Sequence, residues 1–155
     1  MADTLKPHVR SALMARVHGR NTTPEIIVRS MLYRLGFRYR LHAKELPGRP
    51  DIVFRSRRKA IFVHGCFWHQ HPGCRKATVP QTRNRYWAKK LQGNVDRDRK
   101  TLKQLKISGW DVLVLWECEL SDSAWLQDEL ISFMTGAQGR KSKPKSSLRR
   151  PQKAR

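Results

Sequence analysis

The sequence is poor in acidic residues and in cysteine, and it contains no long apolar run. Only 12 of its 155 residues are Asp or Glu, against 33 Lys or Arg, so the formal net charge is +21. No segment approaches the roughly 18 consecutive apolar residues of a membrane-spanning helix, and the first residues lack the apolar core of a signal peptide. We therefore expect a cytoplasmic protein without a membrane segment.

The excess of positive charge indicates a polyanionic partner. Residues 136–155 hold eight Lys or Arg and no acid, among Gly, Ser and Pro, which predicts a disordered basic tail. Subtracting that tail leaves 21 − 8 = +13 on residues 1–135. Such a charge favours nucleic acid as the partner over a role in solubility alone, but it does not separate an enzyme from a passive binding protein.

Hydrophobic patterning predicts one α/β domain over residues 23–135, preceded by a basic arm or helix over 1–22 that contacts DNA. Thr23 as a hydroxyl N-cap followed by Pro24 begins the first helix, which ends at Gly36. The order α-β-β-β-α-β-α predicts a central mixed sheet flanked by helices. After that helix, the predicted elements are a strand over 37–41, a hairpin of 51–54 with 60–64, a helix over 83–107, a strand over 110–116 and a helix to about 135.

The three cysteines have surroundings that are typical of a metal site. Cys66, His71 and Cys74 form a Cys-x4-His-x2-Cys cluster, and Cys118 lies just past another predicted strand. Three thiolates and one imidazole are a common tetrahedral ligand set for structural Zn²⁺, and four protein ligands leave no open position for a substrate. The alternative is that the cysteines are small buried apolar residues. His71 and the Pro-Gly turn favour zinc.

Asp51 and His64 are predicted to lie at the same end of the hairpin. If Phe54 pairs with Ile61, Asp51 faces His64 across the two strands, with Cβ atoms roughly 5 Å apart. A carboxylate binds Mg²⁺ through oxygen, and a neighbouring imidazole transfers protons. His69 is the other histidine of this segment without a zinc role. A strand-capping Asp and surface histidines are the alternative, and spacing alone does not decide between them.

The remaining candidates each have two interpretations. Glu25 lies in the first turn of a helix, where the dipole favours any acid, but it is also a possible second carboxylate of the site. Phe67 and Trp68 lie in a polar loop, and exposed aromatic rings in a basic protein wedge between base pairs or stack on bases. Trp87 either joins them or packs in the core, and Asn94 either contacts a base edge or is a solvated helix residue. Three further tryptophans are predicted core residues: Trp110, Trp116 and Trp125.

Two motifs resemble those of the very short patch repair (Vsr) endonucleases. They are Pro47-Gly-Arg-Pro-Asp51 and His64-Gly-Cys-Phe-Trp-His69, and the likeness extends from about residue 10 to residue 135. The resemblance implies a restriction-endonuclease-like fold and an enzyme that nicks one strand 5′ to the T of a T:G mismatch, which arises when 5-methylcytosine deaminates. It implies Mg²⁺ for catalysis, Zn²⁺ for structure, mismatched double-stranded DNA as substrate, association with the nucleoid and other mismatch-repair proteins as partners.

The resemblance also implies a role for each candidate residue. Asp51 and the backbone carbonyl of Val63, where better-known members carry Thr, would bind Mg²⁺. His69 would act as general base or proton shuttle. His64 would support the phosphate or a water on the metal, and Glu25 would assist through water. The implied zinc ligands are Cys66, His71, Cys74 and Cys118, with one extra residue before Cys74. The aromatic residues that would intercalate beside the mismatch are Phe67, Trp68 and Trp87.

Two other functions fit part of the sequence. A zinc-stabilised DNA-binding module without catalysis accounts for the charge, the cysteines and the aromatic residues, but it leaves Asp51, His64 and His69 without a role. An ordinary restriction nuclease that cuts both strands of matched DNA does not account for the wedge-like aromatic residues. Because a nick in one strand needs one active site, we expect a monomer.

Overall fold

The computed structural model describes residues 19–137, so the predicted arm and the predicted tail lie almost entirely outside the described residues. The helices are α1 (Thr23–Arg34), α2 (Asn84–Ile107) and α3 (Ser123–Thr135). The strands are β1 (Arg40–Leu41), β2 (Ile52–Phe54), β3 (Lys59–His64) and β4 (Asp111–Trp116). Within residues 19–137, no helix is long and apolar enough to cross a membrane.

The four strands form one mixed sheet in the order β1-β2-β3-β4. The pairs β1/β2 and β2/β3 are antiparallel, whereas β3 and β4 are parallel. A parallel pair needs a long crossover connection, and α2 lies within that connection. The predicted α/β class and mixed sheet are therefore confirmed. The strand predicted over residues 37–41 is shorter than expected, because only Arg40 and Leu41 pair with β2.

The hairpin register predicted from the sequence is wrong by two residues. Phe54 pairs with Lys59 rather than with Ile61. Asp51 therefore does not face His64 across the two strands. A shift of two residues keeps both side chains on the same face of the sheet. Asp51 precedes β2 and His64 ends the antiparallel β3, so both residues still lie at the same end of the sheet.

The turn between β2 and β3 explains the different register. Arg55–Arg57 form a single 3-10 turn, and Arg58 adopts a left-handed φ of 50°. The backbone N–H of Arg58 donates to the carbonyl of Arg55 at 3.1 Å. This closure lets β3 begin at Lys59, whereas apolar patterning alone places its start at Ala60.

Alternate strand residues divide the interior into two clusters, one on each face of the sheet. The larger cluster packs the sheet against α1 and α3, and the smaller one contains Val53 and Ala60 together with Trp110. The central buried side chains of the larger cluster are Val28, Leu32, Ile52, Ile61, Leu115, Leu126 and Leu130. Trp110 and Trp125 pack against these clusters, in agreement with their predicted core positions.

The first helix begins one residue earlier than predicted. Its N-cap is Thr22 rather than Thr23, and the Thr22 hydroxyl accepts the backbone N–H of Glu25 at 3.4 Å. The helix ends at the predicted place, where Gly36 adopts a left-handed φ of 88°. The start of α1 therefore carries Glu25 into the region between the helix and the sheet.

Candidate active site and metal centre

A cleft of about 700 Å³ opens where β3 ends. All four predicted catalytic residues line it: Glu25, Asp51, His64 and His69. They come from the first turn of α1, the residue before β2, the end of β3 and the loop after β3. The fold therefore brings together residues that are 44 positions apart in the chain, from position 25 to position 69.

A strained loop delivers Asp51 to the cleft. Gly48 and Arg49 adopt left-handed φ angles of 70° and 51°. A Cβ atom on Gly48 would lie 2.3 Å from Cγ2 of Thr101, so only glycine lets this loop lie against α2. The backbone strain is typical of segments that position functional side chains.

The carboxyl group of Asp51 is half-buried at the edge of the sheet. Its Oδ2 accepts the backbone N–H of Val63 at 2.8 Å. Burial raises the pKa of Asp51 from 3.8 to about 6, and the hydrogen bond from Val63 opposes that shift. A cation beside the carboxylate would stabilise its charge in place of the missing water.

His64 and His69 form a stacked pair of imidazoles. Their ring centroids lie 3.8 Å apart and their planes differ by 6°. Burial, followed by the charge of His69, lowers the pKa of His64 from 6.5 to about 4, so His64 is neutral at physiological pH. Parallel rings direct their in-plane lone pairs along separate planes, so they cannot converge on one metal ion although their nitrogens lie close together.

Asp98 is a site residue that the sequence analysis missed. Its Oδ2 lies 2.6 Å from Nδ1 of His69. A carboxylate only accepts hydrogen bonds, so this contact places a proton on Nδ1 and leaves the lone pair on Nε2. A signal was available, because Asp98 is one of only two acidic residues in the basic helix α2.

Successive turns of α2 hold the residues around the cleft. Asn94 donates from Nδ2 to the backbone carbonyl of Trp68 at 3.0 Å, and Asp98, one turn later, contacts His69. Thr101 then lies against the loop that precedes Asp51. The amide of Asn94 therefore anchors the loop that carries Trp68 and His69, and a contact of Asn94 with a DNA base stays a prediction.

The three cysteines and His71 form the cluster that their spacing predicts. Nδ1 of His71 lies 3.6 Å from Sγ of Cys66 and 3.3 Å from Sγ of Cys118, and all four ligand atoms, including that of Cys74, lie within 4.8 Å of one another. A tetrahedron with 2.3 Å metal–sulfur bonds has edges of about 3.8 Å. Burial raises the pKa of the Cys66 thiol to about 12, so a thiolate here requires a cation. This group can hold a metal ion.

Trp116 lies between the two clusters instead of in the core, where it was predicted. Its indole stacks on His71 with centroids 4.2 Å apart and planes that differ by 7°. The same indole contacts the ring of His64 edge-on at 5.2 Å. The parallel pairing of β3 with β4 places His64 beside Trp116, which explains the contact. Trp116 therefore links the metal-binding cluster to the histidine pair.

An aromatic cluster borders the cleft. Phe67, Trp68 and Trp87 contact one another with ring centroids 5.1 to 6.0 Å apart. Trp87 lies in this cluster and is absent from both buried clusters of the described residues. The ammonium of Lys90 lies 5.8 Å from the ring centroid of Trp68 and 5.6 Å from that of Trp87, which adds a positive charge to the cluster.

The chain is similar to known DNA endonucleases. The model of the family described as DNA mismatch endonuclease Vsr matches residues 2–76. The chain is 51% identical to the type II nicking enzyme V.XorIIP of Xanthomonas oryzae pv. oryzae over 86% of this chain and 98% of that relative. It is 41% identical to the DNA mismatch endonuclease Vsr of Escherichia coli over 85% of this chain and 84% of that relative. Another relative, the type II nicking enzyme V.NmeAIP of Neisseria meningitidis, is 38% identical over 84% of this chain and 92% of the relative.

These similarities identify a nuclease that acts on DNA and has a restriction-endonuclease-like fold. The chain belongs to the Vsr family of DNA mismatch endonucleases.

Proposed function

We propose that this endonuclease nicks one strand of double-stranded DNA 5′ to the T of a T:G mismatch, as a monomer that uses Mg²⁺ and a structural Zn²⁺. The observation that carries the proposal is the convergence of the half-buried Asp51 carboxyl with the stacked His64 and His69 in one cleft. Carboxylate and imidazole groups that share a cleft and have shifted pKa values are typical of catalytic sites, and they suit phosphodiester hydrolysis.

The residues of the cleft fit a magnesium ion. Asp51 would bind it through carboxylate oxygen, and the backbone carbonyl of Val63 would complete the protein ligands, so Val in place of Thr at this position is tolerated. The raised pKa of Asp51 supports the fit, because a buried carboxylate without a cation is unfavourable. Mg²⁺, when bound, would stabilise the negative charge that develops on the phosphate during hydrolysis.

His69 is the proposed general base. Its Nδ1–H donates to Asp98, so Nε2 accepts the proton of the attacking water. The water oxygen bonds to phosphorus in line with the breaking bond to the 3′ oxygen. This yields a 5′-phosphate and a 3′-hydroxyl, whose proton comes from solvent. His64 is neutral and donates a hydrogen bond to the phosphate, while Glu25, which lies close to Asp51, orients water.

The metal-binding cluster is proposed to hold Zn²⁺ with a structural role. Cys66, His71, Cys74 and Cys118 supply four ligands, which complete a tetrahedral shell and leave no position for DNA. The ion would stabilise the loop between β3 and α2, which contains few buried apolar residues. Through Trp116, the same ion would fix the position of His64.

The aromatic cluster is the proposed mismatch reader. Phe67, Trp68 and Trp87 would enter the base stack beside the mismatch, because a mismatched pair costs less to unstack than a matched pair. The predicted arm over 1–22 and tail over 136–155 would bind phosphates along the duplex. We propose other mismatch-repair proteins as partners and nucleoid DNA in the cytoplasm as the place of action.

Strand-resolved cleavage tests the proposal. A short duplex with one T:G mismatch is compared with its T:A counterpart, each with Mg²⁺ and with EDTA, and the Asp51→Asn variant is the control for the site. We expect a nick only in the T strand of the mismatched duplex, only with Mg²⁺, and none with the variant. Equal cleavage of both strands in matched DNA would instead support an ordinary restriction nuclease. Because the chain belongs to an endonuclease family, a DNA-binding module without catalysis is not retained.

A further inference from the structure

Arg29 forms a buried ion pair with the proposed catalytic carboxylate Glu25. Its Nη2 lies 2.5 Å from Oε2 of Glu25, and the exposed side-chain fractions of the two residues are 12% and 4%. Nη1 of Arg29 donates to Oδ1 of Asn21 at 2.8 Å. Pairs of this helical spacing on a surface contribute little, whereas removing one partner of a buried pair leaves an uncompensated charge.

The same guanidinium reaches His42, which follows β1. Nη2 of Arg29 lies 3.2 Å from Nε2 of His42. A guanidinium has only donors, so Nε2 must accept and the imidazole carries its proton on Nδ1. The backbone N–H of His42 donates to the carbonyl of Asp51 at 3.1 Å. A continuous chain of polar contacts therefore joins Glu25 to the backbone of Asp51.

The guanidinium also places a positive charge beside a possible cation site. Glu25, His42 and Asp51 offer ligand atoms within 4.8 Å of one another, a spacing at which a metal ion could bind. Arg29 already contacts two of these three residues. Its Nε is buried without a hydrogen-bond partner among the described residues, so the position of the guanidinium follows its contacts at Nη1 and Nη2.

The N-cap of α1 does not account for this arrangement. Thr22 and Glu25 form a reciprocal cap, in which the Thr22 hydroxyl donates to Oε1 of Glu25 at 3.3 Å, and the backbone N–H of Asn21 donates to Oε2 at 3.0 Å. These contacts stabilise the helix terminus without Arg29. Arg29 adds a charge and a link across to the strand side of the cleft.

We propose that Arg29 and His42 are positioning residues, which hold the Glu25 carboxylate at a fixed place relative to Asp51 and so act on the rate of DNA cleavage through Glu25. The proposal rests on the nuclease function of the cleft. It assigns to this corner a built-in organic cation, with the divalent metal confined to the Asp51 and Val63 side.

A double-variant cycle tests whether Arg29 acts through Glu25. The variants are Arg29→Met, Glu25→Gln and their combination, with Arg34→Met as the matched control, because Arg34 is an exposed arginine of the same helix. The single-turnover rate at saturating duplex, the Kd without Mg²⁺ and the melting temperature are measured. We expect Arg29→Met to lower the rate about 100-fold, since a misplacement of 1 Å is enough for such a loss, with the Kd changed less than about threefold. The combined variant should be no slower than Glu25→Gln.

His42 supplies a second test that keeps every charge. In His42→Gln the amide oxygen can still accept from Arg29, and the rate should stay within about threefold of the wild type. In His42→Leu the acceptor is lost, and the rate should fall about tenfold with the Kd unchanged. If Arg29→Met fails to fold, the two His42 variants still decide the proposal. Arg29→Lys does so as well, because it keeps the positive charge but loses the planar set of guanidinium donors.

Three results would overturn the proposal. The first is that the rate losses of Arg29→Met and Glu25→Gln multiply in the combined variant. The second is that the rate of Arg29→Met falls only in proportion to its folded fraction. The third is that Arg34→Met loses as much rate as Arg29→Met. Each variant is assayed on duplexes that carry every single mismatch and on matched DNA. A failure of the T:G assignment would then appear as a different preferred substrate of the wild type, distinct from a failure of the Arg29 proposal.

Discussion

His69 and Asp98 form the shortest link between the loop after β3 and helix α2 among the contacts around the cleft, with Nδ1 and Oδ2 only 2.6 Å apart. Asp98 corresponds in role to the carboxylate that orients the histidine of a hydrolytic triad, because it fixes which ring nitrogen of His69 carries the proton. The basic helix α2 therefore does more than offer positive charge to DNA, because its Asp98 also sets the tautomer of the proposed base His69.

Replacement of Asp98 should reduce catalysis without loss of DNA binding. Asp98→Asn keeps the size of the side chain, but its amide can donate to Nδ1 and so favours the wrong tautomer of His69. We expect a rate between about 10²-fold and 10⁴-fold lower in single-turnover cleavage. Asp96→Asn is the matched control, because Asp96 is exposed two residues away and accepts a hydrogen bond from Nε2 of Gln92 on the helix surface. Equal losses in the two variants would contradict the role of Asp98.

Asp51 should lower the stability of the metal-free protein at neutral pH. Its folded pKa of about 6 lies above its usual value of 3.8, so the folded state binds more protons in this window. Stability is therefore lost as the pH rises from about 4 through 6, and the loss is complete by pH 8. We expect Asp51→Asn to be more stable than the wild type at pH 8 by roughly 2–3 kcal/mol, and by much less at pH 4.

The measurement is urea unfolding of both proteins at pH 4 and at pH 8, without divalent metal. The difference between the proteins is needed because His64 acts in the opposite direction. Its folded pKa of about 4 lies below 6.5, so its contribution to stability is lost as the pH falls through this range. Added Mg²⁺ should raise the melting temperature of the wild type at pH 8 and leave that of Asp51→Asn unchanged. A variant that is less stable at pH 8 would refute the raised pKa.

Metal removal should unfold the loop that carries the proposed catalytic residues. We expect one zinc per chain by elemental analysis, and a zinc-selective chelator should lower the melting temperature and expose residues 65–82 to proteolysis. Apparent free energies of structural zinc binding are on the order of 10 kcal/mol or more, so the effect should be large. Cys74→Ser should reproduce it. Excess Mg²⁺ should not reverse it, and full stability without zinc would show that the cysteines are merely buried.

Trp68 should contribute to mismatch recognition. Base–aromatic stacking contributes about 1–3 kcal/mol, so Trp68→Ala should weaken binding of the mismatched duplex roughly 5-fold to 150-fold and affect matched DNA less. Tyr33→Ala is the control, because Tyr33 is an aromatic residue of α1 with 59% of its surface exposed. Fluorescence anisotropy with both duplexes measures the ratio of affinities. An unchanged ratio would remove Trp68 from the proposed mismatch reader.

Features that depend on neighbouring residues could be predicted from the amino-acid sequence alone. The Cys-x4-His-x2-Cys spacing predicted three members of the metal-binding cluster, and Gly36 marked the end of α1. The order of helical and apolar segments predicted the mixed sheet, because a parallel pair of strands requires a long connection such as the one that contains α2. Local composition and spacing were sufficient for each of these.

Features that depend on strand register and on contacts between distant residues are visible in the folded structure alone. The 3-10 turn and the left-handed Arg58 set the hairpin register, and the periodicity of apolar residues does not record either of them. Asp98 meets His69 across 29 positions, and Trp116 meets His71 across 45 positions. Both contacts exist because α2 and β4 pack against the end of β3, and the packing of helices and strands sets such distances where spacing along the chain does not.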